Sequence, residues 1–99
     1  MDELVMVVAY VRRTRRALVG VALRQIDVSG WTESDVLGHG QAAAGHGVEH
    51  VRIEIVVPAE RADLVSQTIA GTVRAGAEGD GLIVVMPVSH VLHIANTSP

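Results

Sequence analysis

Two helix-like segments of similar length occupy equivalent places in the two halves of this chain, each between strand-like segments. In the first half, apolar residues recur at helical spacing over residues 13–26, after an apolar, β-branched run over residues 4–10. In the second half, a helical stripe over residues 58–73 follows residues 48–57, in which apolar and polar residues alternate. This repetition leaves few ways to fold, because each helix must bury its apolar stripe against a sheet.

The helical stripes predict which residues form the core. Aromatic residues make up 2% of the chain and Phe is absent, so the core must be built from Val, Ile, Leu and Ala. Pro58 suits the first turn of the second helix, where a missing N–H is tolerated. The predicted stripes are Leu18, Val21, Ala22 and Ile26 in the first helix and Leu64, Val65, Ile69, Thr72 and Val73 in the second.

The remaining segments complete the predicted order of strands and helices. Residues 28–37 alternate as a strand with one wet face, and residues 82–86 form a fourth strand. Residues 90–94 are a short final strand or a turn leading to one. The order βαββαβ predicts one α+β domain over residues 1–99 with a ferredoxin-like sandwich, in which an antiparallel sheet carries both helices on one face. The other face stays uncovered, so an oligomer can bury it.

Two glycine-rich segments interrupt these patterns. Residues 38–47 contain four glycines and no periodic pattern, which predicts a flexible loop. Residues 74–85 carry glycines at 76, 79 and 81 around Glu78 and Asp80. That spacing fits a helix C-cap with a tight turn, and it also fits a loop that holds an anion with backbone N–H groups.

Three segments in the right order resemble the PII signal-transduction family. They are Val51-Arg-Ile-Glu-Ile-Val-Val-Pro58, similar to its third strand, Ala75-Gly-Ala-Glu-Gly-Asp-Gly81, similar to its B-loop, and Gly30-Trp-Thr-Glu-Ser-Asp-Val-Leu-Gly-His-Gly40, similar to the strand leading into its T-loop. The resemblance implies a single PII-like domain over residues 1–99 that forms a homotrimer, with adenine-nucleotide sites in the clefts between subunits. It also implies that residues 38–47 are a shortened T-loop and residues 95–99 a tail.

The resemblance implies a set of nucleotide-binding residues. These are Gly76, Glu78, Gly79, Asp80 and Gly81 around the phosphates, Gly38, Gly40 and Gln41 at the loop root, Thr32 and Val56 beside the base, and His93 in place of a cationic ligand. Several cations of the family are missing, because its lysine after the last loop glycine is Leu82 and its two final arginines are His93 and Ala95. Each lost charge-assisted bond is worth roughly 1.5–3 kcal/mol, so AMP, ADP or cyclic AMP is favoured over ATP.

The implied function is that of a non-enzymatic sensor. Effector binding would order residues 38–47 and signal to an unidentified target protein, such as a transporter or a component of carbon metabolism. The sequence has no recognisable Ser-His-Asp or Cys-His set, no Walker motif and no Cys, so it gives little support for catalysis. The net charge of −3 argues against a nucleic-acid partner. No apolar run approaches the ~20 residues of a membrane span, and the start lacks a signal-peptide pattern, so we expect a cytoplasmic protein.

Two alternatives remain open at this point. His39, His46 and His50 could bind a divalent transition metal in a trimer, for metal tolerance or trafficking, although their spacing matches no established zinc pattern. The chain could also be an interaction scaffold whose nucleotide site is vestigial. Trp31 is interpreted as an anchor on a sheet face or subunit contact.

Overall fold

The computed structural model describes residues 3–40, 46–74 and 81–96. The elements are β1 (Leu4–Arg12), a 3₁₀ turn (Arg13–Arg15), α1 (Arg16–Gln25), β2 (Thr32–Gly38), β3 (Val48–Pro58), a 3₁₀ turn (Ala59–Arg61), α2 (Ala62–Arg74), β4 (Gly81–Val88) and a 3₁₀ turn (Ile94–Asn96). This order confirms the predicted βαββαβ arrangement. The predicted final strand over residues 90–94 is wrong, because residues 90–93 have no regular structure and a 3₁₀ turn begins at Ile94.

The four strands form one antiparallel sheet in the order β2-β3-β1-β4. The two central strands, β1 and β3, are neighbours in space although a helix and a hairpin strand separate them in sequence. Ala9 of β1 lies opposite Ile53 of β3 and Ile83 of β4, which fixes the register on both sides. The antiparallel sheet with two helices confirms the predicted α+β, ferredoxin-like fold.

The hydrophobic core lies between the sheet and the two helices. Alternate residues of β1 and β3 point into it, since successive side chains of a strand face opposite sides. The helices close it with Val, Leu and Ile side chains, and no aromatic ring is among its fully buried members. The core residues are Val7, Ala9, Val11, Val19, Leu23, Val28, Val51, Ile53, Ile55, Val57, Val65, Ile69 and Val73.

The predicted stripe of the first helix is wrong in part. Leu18 and Val21 are 51% and 54% exposed, whereas Val19 and Leu23 are fully buried. Residues at i and i+4 share a helix face, so Val19 and Leu23 define the stripe that meets the core. In the second helix Val65, Ile69 and Val73 are buried as predicted, but Leu64 is 49% exposed.

Two backbone hydrogen bonds cap the C-terminal end of helix α1, at the place that the helical spacing of apolar residues predicted. The Val28 N–H donates to the Leu23 carbonyl at 3.0 Å, and the Asp27 N–H donates to the Arg24 carbonyl at 3.1 Å. Asp27 has a φ of 66°, in the left-handed region. These two bonds form a Schellman motif, which satisfies carbonyls that the helix end leaves open. The guanidinium of Arg61 also donates to the Ile26 carbonyl.

In the described part of the chain, the second face of the sheet carries no helix, and we call it the helix-free face. Here Met6 of β1 lies between Val56 of β3 and Met86 of β4, and the last two are 42% and 41% exposed. Apolar side chains thus remain accessible on this face of a single chain. Neither helix in the described ranges combines the length and apolarity needed to cross a bilayer.

Candidate functional site

A cavity of about 590 Å³ opens at one end of the helix-free face. It lies where β2 ends and β3 begins, and the neighbouring ends of β1 and β4 complete its wall. We call it the loop-root cavity, because residues 38–40 and Val48 flank residues 41–47. The described wall consists of Tyr10, Val36, Leu37, Gly38, His39, Gly40, Val48, His50, Gly81, Leu82 and Val84.

The imidazole of His50 is fixed at the centre of this wall. His50 is 9% exposed and lies opposite Arg12 of β1 and Val36 of β2. Its Nδ1 is 2.8 Å from the carbonyl oxygen of Val48. Because a carbonyl can only accept, Nδ1 carries the proton in this bond. The ring orientation is therefore set by the first residue of the same strand.

Both ends of the loop pack closely against imidazole rings. A Cβ atom on Gly38 would lie 2.7 Å from Nδ1 of His50, although the φ of Gly38 is not in the left-handed region. A Cβ atom on Gly47 would lie 3.1 Å from Cε1 of His39 and 3.0 Å from Cβ of Leu37. At both positions, therefore, a side chain would press against an imidazole ring, and glycine leaves the space that the ring occupies.

The opposite wall is the start of β4. Gly81 lies opposite Val11 of β1, and a Cβ atom on Gly81 would be 3.0 Å from the carbonyl oxygen of Tyr10. The next residue, Leu82, is 59% exposed where a lysine would be expected from the resemblance. In the described part of the wall there is no Asp, Glu, Lys or Arg, and the polar side chains are one phenol and two imidazoles.

The cavity brings together only some of the residues predicted from the sequence. Gly38, Gly40 and Gly81 all line it, and so do His39 and His50, which were proposed as metal ligands. The predicted residues Gln41, Gly76, Glu78, Gly79 and Asp80 lie outside the described residues.

Three other predicted residues lie away from this cavity within one chain. Thr32 is at the far end of β2, about 20 Å from Gly38, because it is six positions earlier and each strand residue spans about 3.3 Å. Val56 is on the helix-free face opposite Met6. His93 is exposed and follows the far end of β4. Thr32 and Gly38 are therefore too far apart along β2 for one base to contact both within a single chain.

Tyr10 lines the cavity but was not predicted as a site residue. Tyr10 lies on β1, with Arg52 of β3 and Leu82 of β4 as its neighbours across the sheet. The alternation of β1 indicates which face Tyr10 occupies, but not that this face meets the loop root, since that depends on the strand register. Val36, Leu37, Val48 and Val84 also line the cavity and were not predicted.

The histidines do not form a metal cluster within one described chain. Within residues 3–40, 46–74 and 81–96, no group of three or more His, Asp or Glu side chains could hold a metal ion. His46 is exposed and is not part of the described cavity wall, unlike His39 and His50. The proposed three-histidine site therefore has no support from the geometry of a single subunit.

Ion pairs connect the 3₁₀ turn before α1 to the hairpin formed by β2 and β3. Nη1 of Arg13 donates to Oε2 of Glu49 at 3.2 Å, and Nη2 lies 3.9 Å from Oδ2 of Asp35. All three side chains are largely exposed, so water and salt weaken these pairs. They help to orient the hairpin and add little to stability.

Trp31 lies outside the cavity and packs on the helix side of the sheet. Its indole N–H donates to Oε2 of Glu33 at 2.8 Å, and the guanidinium of Arg24 lies 4.9 Å from the ring centroid. A Cβ atom on Gly20 would be 3.4 Å from Cζ2 of the ring, so the ring covers this part of α1. Within one chain Trp31 thus anchors α1 to the start of β2.

Comparisons with known proteins agree on one family. The family model described as nitrogen regulatory protein P-II matches residues 4–97. A P-II homolog of Arabidopsis thaliana is 38% identical over 87% of this chain, which spans 50% of that protein's length. The P-II protein of Cyanidium caldarium is 37% identical to this chain, and the match covers 87% of this chain and 86% of that protein. The crystal structure of Arabidopsis thaliana PII bound to citrate superposes with a TM-score of 0.84 at 36% identity, covering 98% of this chain and 88% of that one.

Proposed function

Because the chain belongs to the nitrogen regulatory protein P-II family, we propose that it is a non-enzymatic regulator that binds a small anionic effector in the loop-root cavity. The observation that carries this proposal is the composition of the wall. Gly38, Gly40 and Gly81 line the cavity beside two imidazoles, and no Asp, Glu, Lys or Arg is among the described lining residues. Successive amides can hold an anion without any lysine.

The effector we favour is AMP, ADP or cyclic AMP over ATP. A triphosphate needs several cations, and the described wall has apolar Leu82 where one would stand. A nucleotide with fewer phosphate charges loses less binding free energy when this cation is missing. The related PII of Arabidopsis thaliana binds citrate, another small anion, in its crystal structure, which supports the capacity of this fold for such ligands.

We further propose that the chain forms a homotrimer with the effector between subunits. Gly38 and Thr32 are about 20 Å apart along β2, so one base can contact both only if they belong to different copies. The apolar side chains of the helix-free face, such as Met86 and Val56, supply the surface that such an assembly would bury.

Effector binding would control the conformation of residues 38–47. The wall includes Gly38, His39 and Gly40, which lead directly into this segment. Ordering a flexible loop costs roughly 1–2 kcal/mol per residue, so a few effector contacts can decide its state. The ordered segment would then present a surface to a cytoplasmic target protein, such as a transporter or a component of carbon metabolism.

Calorimetry with AMP, ADP, cyclic AMP, ATP and citrate tests this proposal. We expect sub-millimolar affinity for at least one nucleotide and weaker binding of ATP. Gly79→Val should abolish binding, because the glycine-rich segment is expected to hold the phosphates. Gly71→Ala is a matched control, since no atom lies within 4 Å of its Cβ position. Failure of every nucleotide to bind would overturn the nucleotide assignment.

A further inference from the structure

Four of the eight basic residues of the chain lie within five consecutive positions, and all eight are arginine. The four are Arg12 at the end of β1, Arg13 and Arg15 in the 3₁₀ turn, and Arg16 at the start of α1. We call them the arginine patch. Because the net charge of the whole chain is −3, this positive charge is local and is not a property of the surface in general.

The arginine patch opposes the charge preference of a helix start. Unpaired backbone N–H groups give the first turn of a helix a partial positive charge, which favours acidic side chains there. Helix α2 follows this rule, because Glu60 and Asp63 lie in the turns with which it begins. The corresponding turns of α1 contain no acidic residue. Folding alone thus gives no electrostatic reason for these cations, whereas an external anion would offset their mutual repulsion.

Acidic residues of the chain neutralise only part of the patch. Arg13 donates to Glu49 at 3.2 Å and lies 3.9 Å from Asp35. Within the described ranges, neither Arg15 nor Arg16 has an acidic partner. Arg16 is exposed, and α1 packs on the side of the sheet away from the helix-free face. An assembly formed through the helix-free face therefore leaves Arg16 accessible.

The patch also lines a hollow of about 380 Å³ beside the loop. Three arginines face one glutamate there, and that glutamate is the partner of Arg13. Val48 belongs to the walls of both this hollow and the loop-root cavity. A group bound at the patch thus lies next to the end of residues 38–47, the segment that the effector is proposed to control. The described lining residues are Arg12, Arg13, Thr14, Arg16, Val48 and Glu49.

We infer that the arginine patch docks an acidic segment of the target protein, an inference that rests on the protein partner proposed above. Guanidinium groups bind carboxylates through paired N–H donors, so several neighbouring arginines suit clustered Asp or Glu side chains. Nucleic acid or an anionic membrane extends far beyond these few residues. Outside the patch the chain has 11 acidic residues and only four arginines, which repel such an extended polyanion.

Fluorescence anisotropy with a labelled hexaglutamate peptide tests this inference on the full chain. We expect the peptide to bind, its affinity to fall as NaCl is raised, and a hexaglutamine peptide not to bind. Arg16→Glu should weaken hexaglutamate binding by at least about fivefold, because it removes a cation and adds a repulsive charge. The variant should fold as wild type does, since an acidic residue suits the start of a helix.

Arg24→Glu is the matched control on the same helix. Arg24 lies in the last turn of α1, so this substitution changes the net charge equally but leaves the patch intact. It should bind hexaglutamate as wild type does, and circular dichroism should show the same helix content in both variants. Equal weakening by the two substitutions would reveal a general effect of net charge and would overturn the docking assignment.

The other failures are also distinguishable. If hexaglutamate does not bind wild type, or binds Arg16→Glu equally well, the inference is wrong. The nucleotide test is unaffected by that result, because Arg16 is not in the described wall of the loop-root cavity. Tighter binding of a single-stranded oligonucleotide or of phosphatidylserine vesicles than of the peptide would also overturn the inference. If hexaglutamate binds through Arg16 but no nucleotide binds, the proposed effector function fails and the arginine patch stands.

Discussion

Gly38 and His50 lie so close together that a Cβ atom on Gly38 would be 2.7 Å from Nδ1 of the His50 ring. The ring cannot retreat freely, because Nδ1 also donates to the Val48 carbonyl at 2.8 Å. Gly38→Ala should therefore destabilise the chain by about 1–2 kcal/mol and weaken effector binding, since the ring must shift or lose its bond. Urea unfolding and calorimetry would measure both effects.

A double-mutant cycle tests this contact directly. His50→Ala removes the ring, so adding Gly38→Ala in that background should cost much less than in the wild type. Gly40→Ala is a suitable control at the same loop root, because no atom of the described residues lies within 4 Å of its Cβ position. Additive costs of the Gly38 and His50 substitutions would show that the two residues do not constrain each other.

Leu82 places an apolar side chain on the cavity wall where a cation would strengthen phosphate binding. Because Leu82 is 59% exposed, a longer polar side chain fits there without disturbing the core. Leu82→Lys should raise affinity roughly tenfold for ADP and ATP and less for AMP, since a charge-assisted bond contributes about 1.5–3 kcal/mol. Calorimetry with the three nucleotides measures this, and Leu82→Met controls for a change of shape alone. An equal gain with lysine and methionine would contradict the electrostatic reason.

Asp27 adopts a φ of 66° at the end of α1, a conformation that glycine adopts without strain. Asp27→Gly should therefore raise the free energy of unfolding by up to about 1 kcal/mol, partly offset by the greater flexibility of glycine in the unfolded chain. Asp27→Val should lower it, because a β-branched residue fits this region poorly. Denaturant unfolding of the three proteins provides the test. Equal stability of the glycine and valine variants would mean that α1 ends differently.

Trp31 joins α1 to β2 through Arg24 and Glu33. Trp31→Ala should destabilise the chain by roughly 2 kcal/mol, less than for a fully buried tryptophan, because the ring is only partly buried. Arg24→Ala should cost about 0.5–1 kcal/mol, the usual contribution of an exposed cation–π contact. Thermal and urea unfolding would measure both losses. In the Trp31→Ala background Arg24→Ala should have almost no effect, and an undiminished loss there would contradict the contact.

The repeated strand–helix–strand pattern was sufficient to predict the fold. Alternation identifies β3, because its core side chains at Val51, Ile53 and Ile55 follow a strict period of two. The end of α1 was also predictable, since Asp27 interrupts the helical spacing. Both features depend on neighbouring residues in the sequence, and the tertiary contacts of the fold are consistent with them.

The stripe of α1 and the position of Tyr10 in the cavity wall required the structure. Helix α1 has apolar residues all around its first turns, so the sequence offers two candidate faces, and packing selects Val19 over Leu18. Tyr10 meets the loop root only because β1 lies between β3 and β4 in a particular register. Spacing along the chain contains no information on that long-range pairing.

The row formed by Met86, Met6 and Val56 across three strands provides a test of the proposed assembly. Wild-type protein in light scattering should have three times the mass of a single chain. Met86→Glu should shift it to the monomer, because burying an unpaired carboxylate in an apolar interface is strongly unfavourable. The monomer should also lose effector binding, since Thr32 and Gly38 of one chain are too far apart to share a ligand.

Leu18→Glu is the matched control for this substitution. Leu18 is 51% exposed on α1, on the opposite side of the sheet from Met86, so the same charge should leave the assembly intact. If Met86→Glu remains trimeric and binds nucleotide, the helix-free face is not the interface. If it becomes monomeric but still binds nucleotide with wild-type affinity, the loop-root cavity of a single chain is sufficient, and the site does not need a second subunit.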